Sequence, residues 1–408
     1  MTSSYPLLSV LGLEIEYMLV DIDSLDVVPK SDLILKQLAG EITSEVILGD
    51  VAASNELMMH VLELKNNGPR SPTEPVASHF QEAILQLQPV LQDLHLQLLP
   101  TGAHPWMNPL TESKRWPHGN RDIYQQYDTI FNCQGHGWAN LQSMHINLPF
   151  TNDREFSQLH NGIRLLLPLL PALAASSPFL EGKKTQMLDS RLYFYDKNQQ
   201  RVPSITGNII PEFVQSEGEY QDIILSPMYR DISSLDPKGL LQNEWLNSRA
   251  AIAKFDINAI EIRIIDSQEC VNADIAIAHA VHAILKSWLS SSEQYLDKPC
   301  DTLRLKAIYE RTIKDGFSVL IDDSVVLEQW QLPKRRMTAR DAWSLLLERE
   351  SSNLNQSTQQ SLELMLSQGN LSERILRACN NDYSHAMLKS VYRQLGDCLL
   401  SNQQFRPL

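Results

Sequence analysis

In the stretch Ala259-Ile260-Glu261-Ile262-Arg263-Ile264-Ile265-Asp266, an acid and a base alternate with isoleucines. Extended backbone sends successive side chains to opposite faces, so Glu261 and Arg263 share one face and Ile260, Ile262 and Ile264 the other. Such a pair can be a simple salt bridge. The pattern recurs, however, in Gly12-Leu13-Glu14-Ile15-Glu16, which aims Glu14 and Glu16 to one side. The segment Glu56 to Leu64 adds Glu56 and Glu63 among apolar residues. Carboxylates on apolar strands are costly to bury unless paired or bound to a metal. Their oxygens suit Mg²⁺ or Mn²⁺, which also take water and phosphate oxygens as ligands. Gathered in one place, these acids make a multi-cation site for phosphates.

Other residues complete such a site. His145 lies in the middle of Ser143-Met144-His145-Ile146-Asn147, and a neutral imidazole can finish a carboxylate shell around a cation. Arg191, Arg249 and Arg263 supply planar guanidinium forks that suit phosphoryl and carboxylate oxygens. Each residue alone has a plainer reading. Glu14 and Glu16 can be a solvated strand face, Glu63 a surface acid, His145 a satisfied core histidine, and each arginine half of a surface ion pair. Glu56 stands seven positions before Glu63, on the opposite face of an unbroken strand, so a bulge or a preceding turn is needed to join them. Taken together, acids on strands facing arginines suggest phosphoryl transfer by charge neutralisation and positioning. The sequence has no G-x-x-x-x-G-K-[ST] loop, no G-x-G-x-x-G and no H-E-x-x-H. ATP, where it binds, does so without a phosphate loop.

The elements that must position these residues follow from periodicity. Strands are expected at 9–21, 57–65, about 98–102, 140–150 and in the region 252–265. Asn66-Asn67-Gly68-Pro69 is a turn, and Ser71-Pro72-Thr73-Glu74 opens a helix with a capping-type start. The apolar stripe of that helix is Val76, Phe80, Ile84, Leu87 and Leu91. Helices are expected at about 153–175 and 273–289. The long aromatic-rich loop from His104 to Arg121 and the segment Ser176–Arg191 are candidates to cover the pocket, with His104, Arg121 and Tyr124 expected to bind substrate. After about residue 300 the pattern is helical: 303–314, 339–350, 359–367 and 373–395. Strands first and helices last indicate an α+β protein, with 1–299 as the catalytic domain and 300–408 as a helical C-terminal region packed on it.

Composition sets outer bounds. The 408 residues carry 43% hydrophobic and 21% charged residues, enough for a large core. A net charge of −14 and no dense Lys/Arg run argue against nucleic acid as a partner. Cys133, Cys270, Cys300, Cys379 and Cys398 form no C-x-x-C pair and are odd in number, as in a reducing compartment. No signal peptide and no membrane span are visible, and a cytoplasmic location is expected. A homo-oligomer is compatible with these features.

The order of the motifs resembles the bacterial glutamate–cysteine ligases (family 2) and their carboxylate–amine ligase relatives. The similarity runs through Gly12-Leu13-Glu14-Ile15-Glu16, Glu56-x6-Glu63, Gly102-Ala103-His104-Pro105 and the strand around His145. It continues through Ser176-Ser177-Pro178-Phe179-Leu180-Glu181-Gly182, leading to Ser190-Arg191, and ends at Ala259–Asp266, covering about residues 9–290. Departures are Met144-His145-Ile146-Asn147, with one histidine fewer than the family strand, and Gln186 where glycine is common.

The resemblance implies a glutamine-synthetase-like fold: a cupped antiparallel sheet flanked by helices. It implies Mg²⁺ (or Mn²⁺) held by Glu14, Glu16, Glu56, Glu63, His145 and Glu261, with ATP as co-substrate and Arg263 steadying the transferring phosphoryl group. Arg191 and Arg249 join Arg263 as catalytic candidates. The implied reaction, a glutathione-biosynthesis type of step, phosphorylates the γ-carboxylate of glutamate and passes the acyl group to a small amine, with cysteine favoured. A different amine acceptor, or a non-catalytic nucleotide- or amino-acid-binding protein of the same fold, are the alternatives.

Overall fold

The computed structural model describes residues 5–290, 296 and 298–407. Eight strands form one antiparallel sheet: β1 (Gly12–Asp21), β2 (Glu45–Leu48), β3 (Val51–Asn55), β4 (Val61–Asn66), β5 (Leu96–Leu99), β6 (Ser143–Pro149), β7 (Ala251–Lys254) and β8 (Ala259–Asp266). The order is β2-β3-β4-β1-β6-β8-β7. The central strand β1 pairs with β4 along one edge, while β6 takes Gly12–Ile15 and β5 takes Met18–Asp21 on the other.

Alternation along these strands divides the sheet chemically. Leu13, Ile15, Tyr17, Leu62, Leu64, Met144, Ile146, Ile260 and Ile262 are buried on the apolar face. The principal helices are α1 (Ser31–Ala39), α2 (Val76–Asp93), α3 (Arg121–Phe131), α4 (Asp153–Leu166), α5 (Ser190–Tyr195) and α6 (Val271–Ser290). Helix α2 packs against β3, β4 and β5, and α4 against α6 and β8. All five stripe residues of α2 are essentially inaccessible, at 0–1%. The opposite face of the sheet carries the acids.

Several boundaries differ from the periodicity reading, each for a local reason. Helix α2 begins at Val76, and Ser71 and Glu74 close a turn ahead of it instead, with Ser71 N donating to Glu74 Oε1 at 2.9 Å. Pro168 and Pro171 break the expected 153–175 helix into α4 and two short turns. Strands β2 and β3 were not foreseen. They are short, β2 is largely exposed, and Val51-Ala52-Ala53-Ser54-Asn55 is buried on both faces without alternation. The expected 57–65 strand is β4 alone, since residues 56–60 connect β3 to β4.

The C-terminal helices are α7 (Thr302–Asp315), α8 (Ala339–Glu350), α9 (Gln356–Gln368), α10 (Leu371–Cys379) and α11 (His385–Ser401). The expected 373–395 helix is split into α10 and α11, because Asn380 and Asn381 adopt left-handed backbone conformations (φ 45° and 63°). These helices dock closely on the sheet half. Helix α9 packs along α6, and the indoles of Trp330 and Trp343 donate to the carbonyls of Leu165 and Leu169 at 2.7 and 2.9 Å. Arg374 and Glu269 form a fully buried ion pair. The tail closes over it: Phe405 N donates to Glu269 Oε1 at 3.1 Å, and Phe405 O accepts from Arg374 at 2.7 Å. All five cysteines are free thiols. No helix among the described residues is long and apolar enough to cross a membrane.

Candidate active site

Register builds the site. Across β4, β1 and β6, Glu63 faces Glu16, Lys65 faces Glu14, and Glu14 faces His145. Directly opposed residues share a face, so these side chains form two adjoining rows. Glu261 on β8 faces Asn147 on β6 and joins the same surface. The acids fall into two groups whose ligand atoms lie within 4.8 Å of one another: Glu14, His145 and Glu261, and Glu16, Glu56 and Glu63. All six expected metal ligands are thus brought together. Glu56 arrives from the β3–β4 connection, which is the preceding turn that its spacing requires.

The first group is held by neighbours of opposite charge. Glu14 Oε2 accepts from His145 Nδ1 at 3.1 Å and its Oε1 from Asn147 at 3.0 Å. Glu261, 1% exposed, is in ion-pair contact with Lys254 and with Arg263 Nε, the latter at 2.8 Å. Burial pushes the Glu14 carboxyl up, but the His145 hydrogen bond and the charges around it, Lys254 and Arg263 among them, hold it well below the usual carboxylate range. Burial also lowers His145 to about 4, so the imidazole is neutral and able to ligate at pH 7.

The second group behaves in the opposite way. Burial and then the Glu63 carboxylate push Glu16 up to about 7. Burial and then Glu16 push Glu56 to about 7, and burial with Glu14 and Glu56 pushes Glu63 to about 8. Hydrogen bonds from Ser143 N (2.6 Å) to Glu16 and from Ser54 Oγ (2.7 Å) to Glu63 offset this only in part. Two buried acids and the half-buried Glu56, crowded beyond what their hydrogen bonds satisfy, are a donor set for a divalent cation, which favours the ionised form of each.

A one-residue bulge shapes the far end. Ile262 pairs with Ile146 and Ile265 with Met144, so β8 carries one residue more than β6 between them. Asp266, five positions after Glu261, faces the other side of an unbroken strand. The extra residue sets it opposite Ser143 instead. There Asp266 accepts from Ser176 N at 2.9 Å, from Ser177 Oγ at 2.8 Å and from Arg191 Nε. Gly102 lies so close that a Cβ there would overlap the Asp266 carboxyl. That close approach is what the Gly102-Ala103-His104-Pro105 motif requires of its first residue.

Two cavities, each of about 340 Å³, flank the acids. The first is mainly apolar, lined by Val10, Leu13, Pro69, Pro149 and Ile257, and reaches Glu14 between Lys65 and Lys254. The second is lined by Glu16, Glu56 and His145 at one end, by Arg191 and Arg263, and by Tyr124, Tyr127, Trp138, Tyr195 and Trp245.

Of the remaining sequence candidates, Tyr124 alone lines a cavity described above. Arg249 is gripped bidentately by Glu212 (2.7 and 2.8 Å) and lines neither cavity. His104 is buried, its Nε2 donating to Leu25 O at 2.8 Å while Nδ1 accepts from Met107 N at 3.0 Å, so both nitrogens are engaged. Arg121 is exposed at the start of α3, beside Asp122. Tyr124, one turn further on, lines the second cavity. The 104–121 loop packs inward through Trp116, and α3, the Gly137–Leu141 turn and residues 195–199 wall the pocket in its place. Sequence reasoning missed Lys65, Lys254, Ser54, Ser143 and Asn147. The last two carry a usable signal, since they alternate with His145 on the same face.

Comparison with known proteins gives a consistent picture. The family model described as "Glutamate-cysteine ligase family 2(GCS2)" matches residues 10–394. An "Uncharacterized protein" of Archaeoglobus fulgidus is 40% identical over 281 residues, 68% of this chain and 74% of that one. A protein of Cronobacter sakazakii named "Putative glutamate--cysteine ligase 2" is 22% identical over 352 residues, 85% of each chain. The crystal structure of glutamate–cysteine ligase from Francisella tularensis in complex with AMP is similar in fold, with a TM-score of 0.61 at 13% identity over 98% of this chain and 90% of that one.

Proposed function

The chain belongs to glutamate-cysteine ligase family 2 and has the glutamine-synthetase-like fold, and on that premise we propose that it is an ATP-dependent carboxylate–amine ligase with glutamate as donor. One observation carries the reading: two groups of three ligands share a sheet face between an apolar cavity and a cavity lined by two arginines. An adenine ring suits the apolar walls of the first cavity, with Lys65 and Lys254 beside the triphosphate. Glutamate and the acceptor amine suit the second.

The donor set of Glu14, His145, Glu261, Glu16, Glu56 and Glu63 fits Mg²⁺ or Mn²⁺, which would neutralise triphosphate charge there. The chain's own residues do the rest. Arg263, anchored by Glu261, presents its guanidinium to the transferring phosphoryl group. Arg191 is held through Nε by Asp266, and its Nη2 has no partner among the described residues. That free edge suits the α-carboxylate of glutamate. The donor γ-carboxylate takes the γ-phosphoryl group of ATP and releases ADP. The amine then attacks the acyl carbon, the C–O bond to phosphate breaks, and phosphate leaves.

Hydroxylamine tests this directly, because it traps an acyl phosphate as a hydroxamate. Glutamate, ATP and Mg²⁺ with hydroxylamine should give γ-glutamyl hydroxamate and ADP in equal amounts. ATP binding without hydroxamate would instead favour a nucleotide-binding protein of this fold.

A further inference from the structure

Resting on the ligase reading, the second cavity must hold both glutamate and the attacking amine, and its charges limit what the amine can carry. Among the described residues, Arg191 and Arg263 are the only cations that line it. The first is assigned to the donor carboxylate and the second to the phosphoryl group. Cations near its walls point elsewhere: Arg115 to Asp128 and Gln125, Arg201 to the Ile130 carbonyl, Arg249 to Glu212, Lys197 over the ring of Tyr193, and Arg121 to solvent beside Asp122. Among the described residues, no cation lining the cavity is left for a second carboxylate.

The wall that remains is largely aromatic, with the uncharged side chains of Ser143, Asn198, Gln199 and Ser248 beside the rings. Tyr127 lies with its ring centroid 5.4 Å from that of Trp138 and 5.8 Å from that of Trp245, and both indoles are only partly buried. Ring faces are electron-rich, so they repel a carboxylate and attract alkyl groups, other rings and ammonium groups. A carboxylate desolvated against them without a partner is strongly disfavoured.

We propose that the acceptor is an alkyl- or arylalkylamine without a carboxylate, not an α-amino acid. Cysteine, which the sequence resemblance favours, is then the poorer substrate of the pair cysteine and cysteamine. The step balances without another reactant. An alkylammonium and the acyl phosphate give the amide and hydrogen phosphate, and one proton is released to solvent.

Pairs that differ only by the carboxylate decide it: cysteamine against cysteine, ethylamine against alanine, and 2-phenylethylamine against phenylalanine. ADP release is measured with glutamate, ATP and Mg²⁺, with hydroxylamine as the control. The amine of each pair should show a kcat/KM at least ~10-fold higher than its amino acid. Trp245→Leu should raise KM for 2-phenylethylamine more than for ethylamine, which general loosening of the fold does not do. ADP release with the amino acids equal to or greater than with their amines, or hydroxamate formed while no amine is accepted, overturns the acceptor assignment and leaves the ligase reading standing. Absence of hydroxamate removes the ligase reading itself.

Discussion

Glu16 and Glu63 face each other directly across β1 and β4, 6% and 7% exposed, with Glu56 leaning onto both from the adjoining connection. Their carboxyls titrate at about 7, 7 and 8 where an ordinary glutamate titrates at 4.5. A group whose folded pKa is raised keeps protons that the unfolded chain gives up. Its contribution to stability is therefore lost as pH rises from 4.5 to its folded value. Buried His60, His104, His145, His160 and His279, held below the usual imidazole range by burial, work the other way as pH rises. The acids therefore show as a difference: in metal-free buffer Glu63→Gln should raise Tm relative to wild type more at pH 8 than at pH 5.5. Mg²⁺ competes with those protons, so the Tm rise it produces should be larger at pH 8 than at pH 6. Equal rises in calorimetry at both values would remove these acids from cation binding.

Glu261→Gln should lower ligase activity by at least ~10² while circular dichroism stays native. The change removes one negative charge beside His145 and Glu14 and weakens the anchor of Arg263. Mn²⁺ affinity, followed by electron paramagnetic resonance, should fall in parallel. Unchanged Mn²⁺ binding would leave Glu261 only the role of pairing Lys254 and Arg263.

Arg263→Lys tests geometry rather than charge. An ammonium keeps the positive charge but loses the planar fork that reaches Glu261 and the cavity together. The expected loss is in kcat, by about 10-fold or more, with little change in KM for glutamate. A selective rise in KM would reassign Arg263 to donor binding.

Gly102→Ala should be severely destabilising, because the new methyl group meets the Asp266 carboxyl that fixes Ser176, Ser177 and Arg191. Breaking a buried ion pair of this kind costs about 3–5 kcal/mol. Chemical denaturation should show a loss of that order, and any folded fraction should bind glutamate weakly. A Tm within a degree or two of wild type would mean that Asp266 can shift without cost.

Much of the site is legible in alternation. Glu14 with Glu16, and Glu261 with Arg263, share faces because strands alternate strictly over those few residues, and His145 follows from the same rule. Glu56 is a connection residue, and only three-dimensional closure of the β3–β4 hairpin brings it to Glu16. The bulge leaves no mark in a run of isoleucines, so the position of Asp266 could not be read. The aromatic wall comes from α3, a short turn and a segment more than 100 residues later, which no local pattern connects. Arg249 shows the converse. An arginine beside a strand, with Ser and Asn neighbours, reads as functional until its bidentate partner, Glu212, is seen.

The Arg374–Glu269 pair has a consequence for how the chain is made. Glu269 follows β8 by three residues, yet its partner lies 105 residues further on. At translation rates of roughly 5–20 residues per second, that separation is about 5–20 s. Throughout that interval the acid that follows β8 lacks its counter-ion, and Phe405, which seals the pair, is made later still. The sheet is complete in sequence long before its floor is neutral. The growing chain must keep Glu269 hydrated or protonated while it waits, and the arrival of the segment around Phe405 sets the moment at which the buried pair can close.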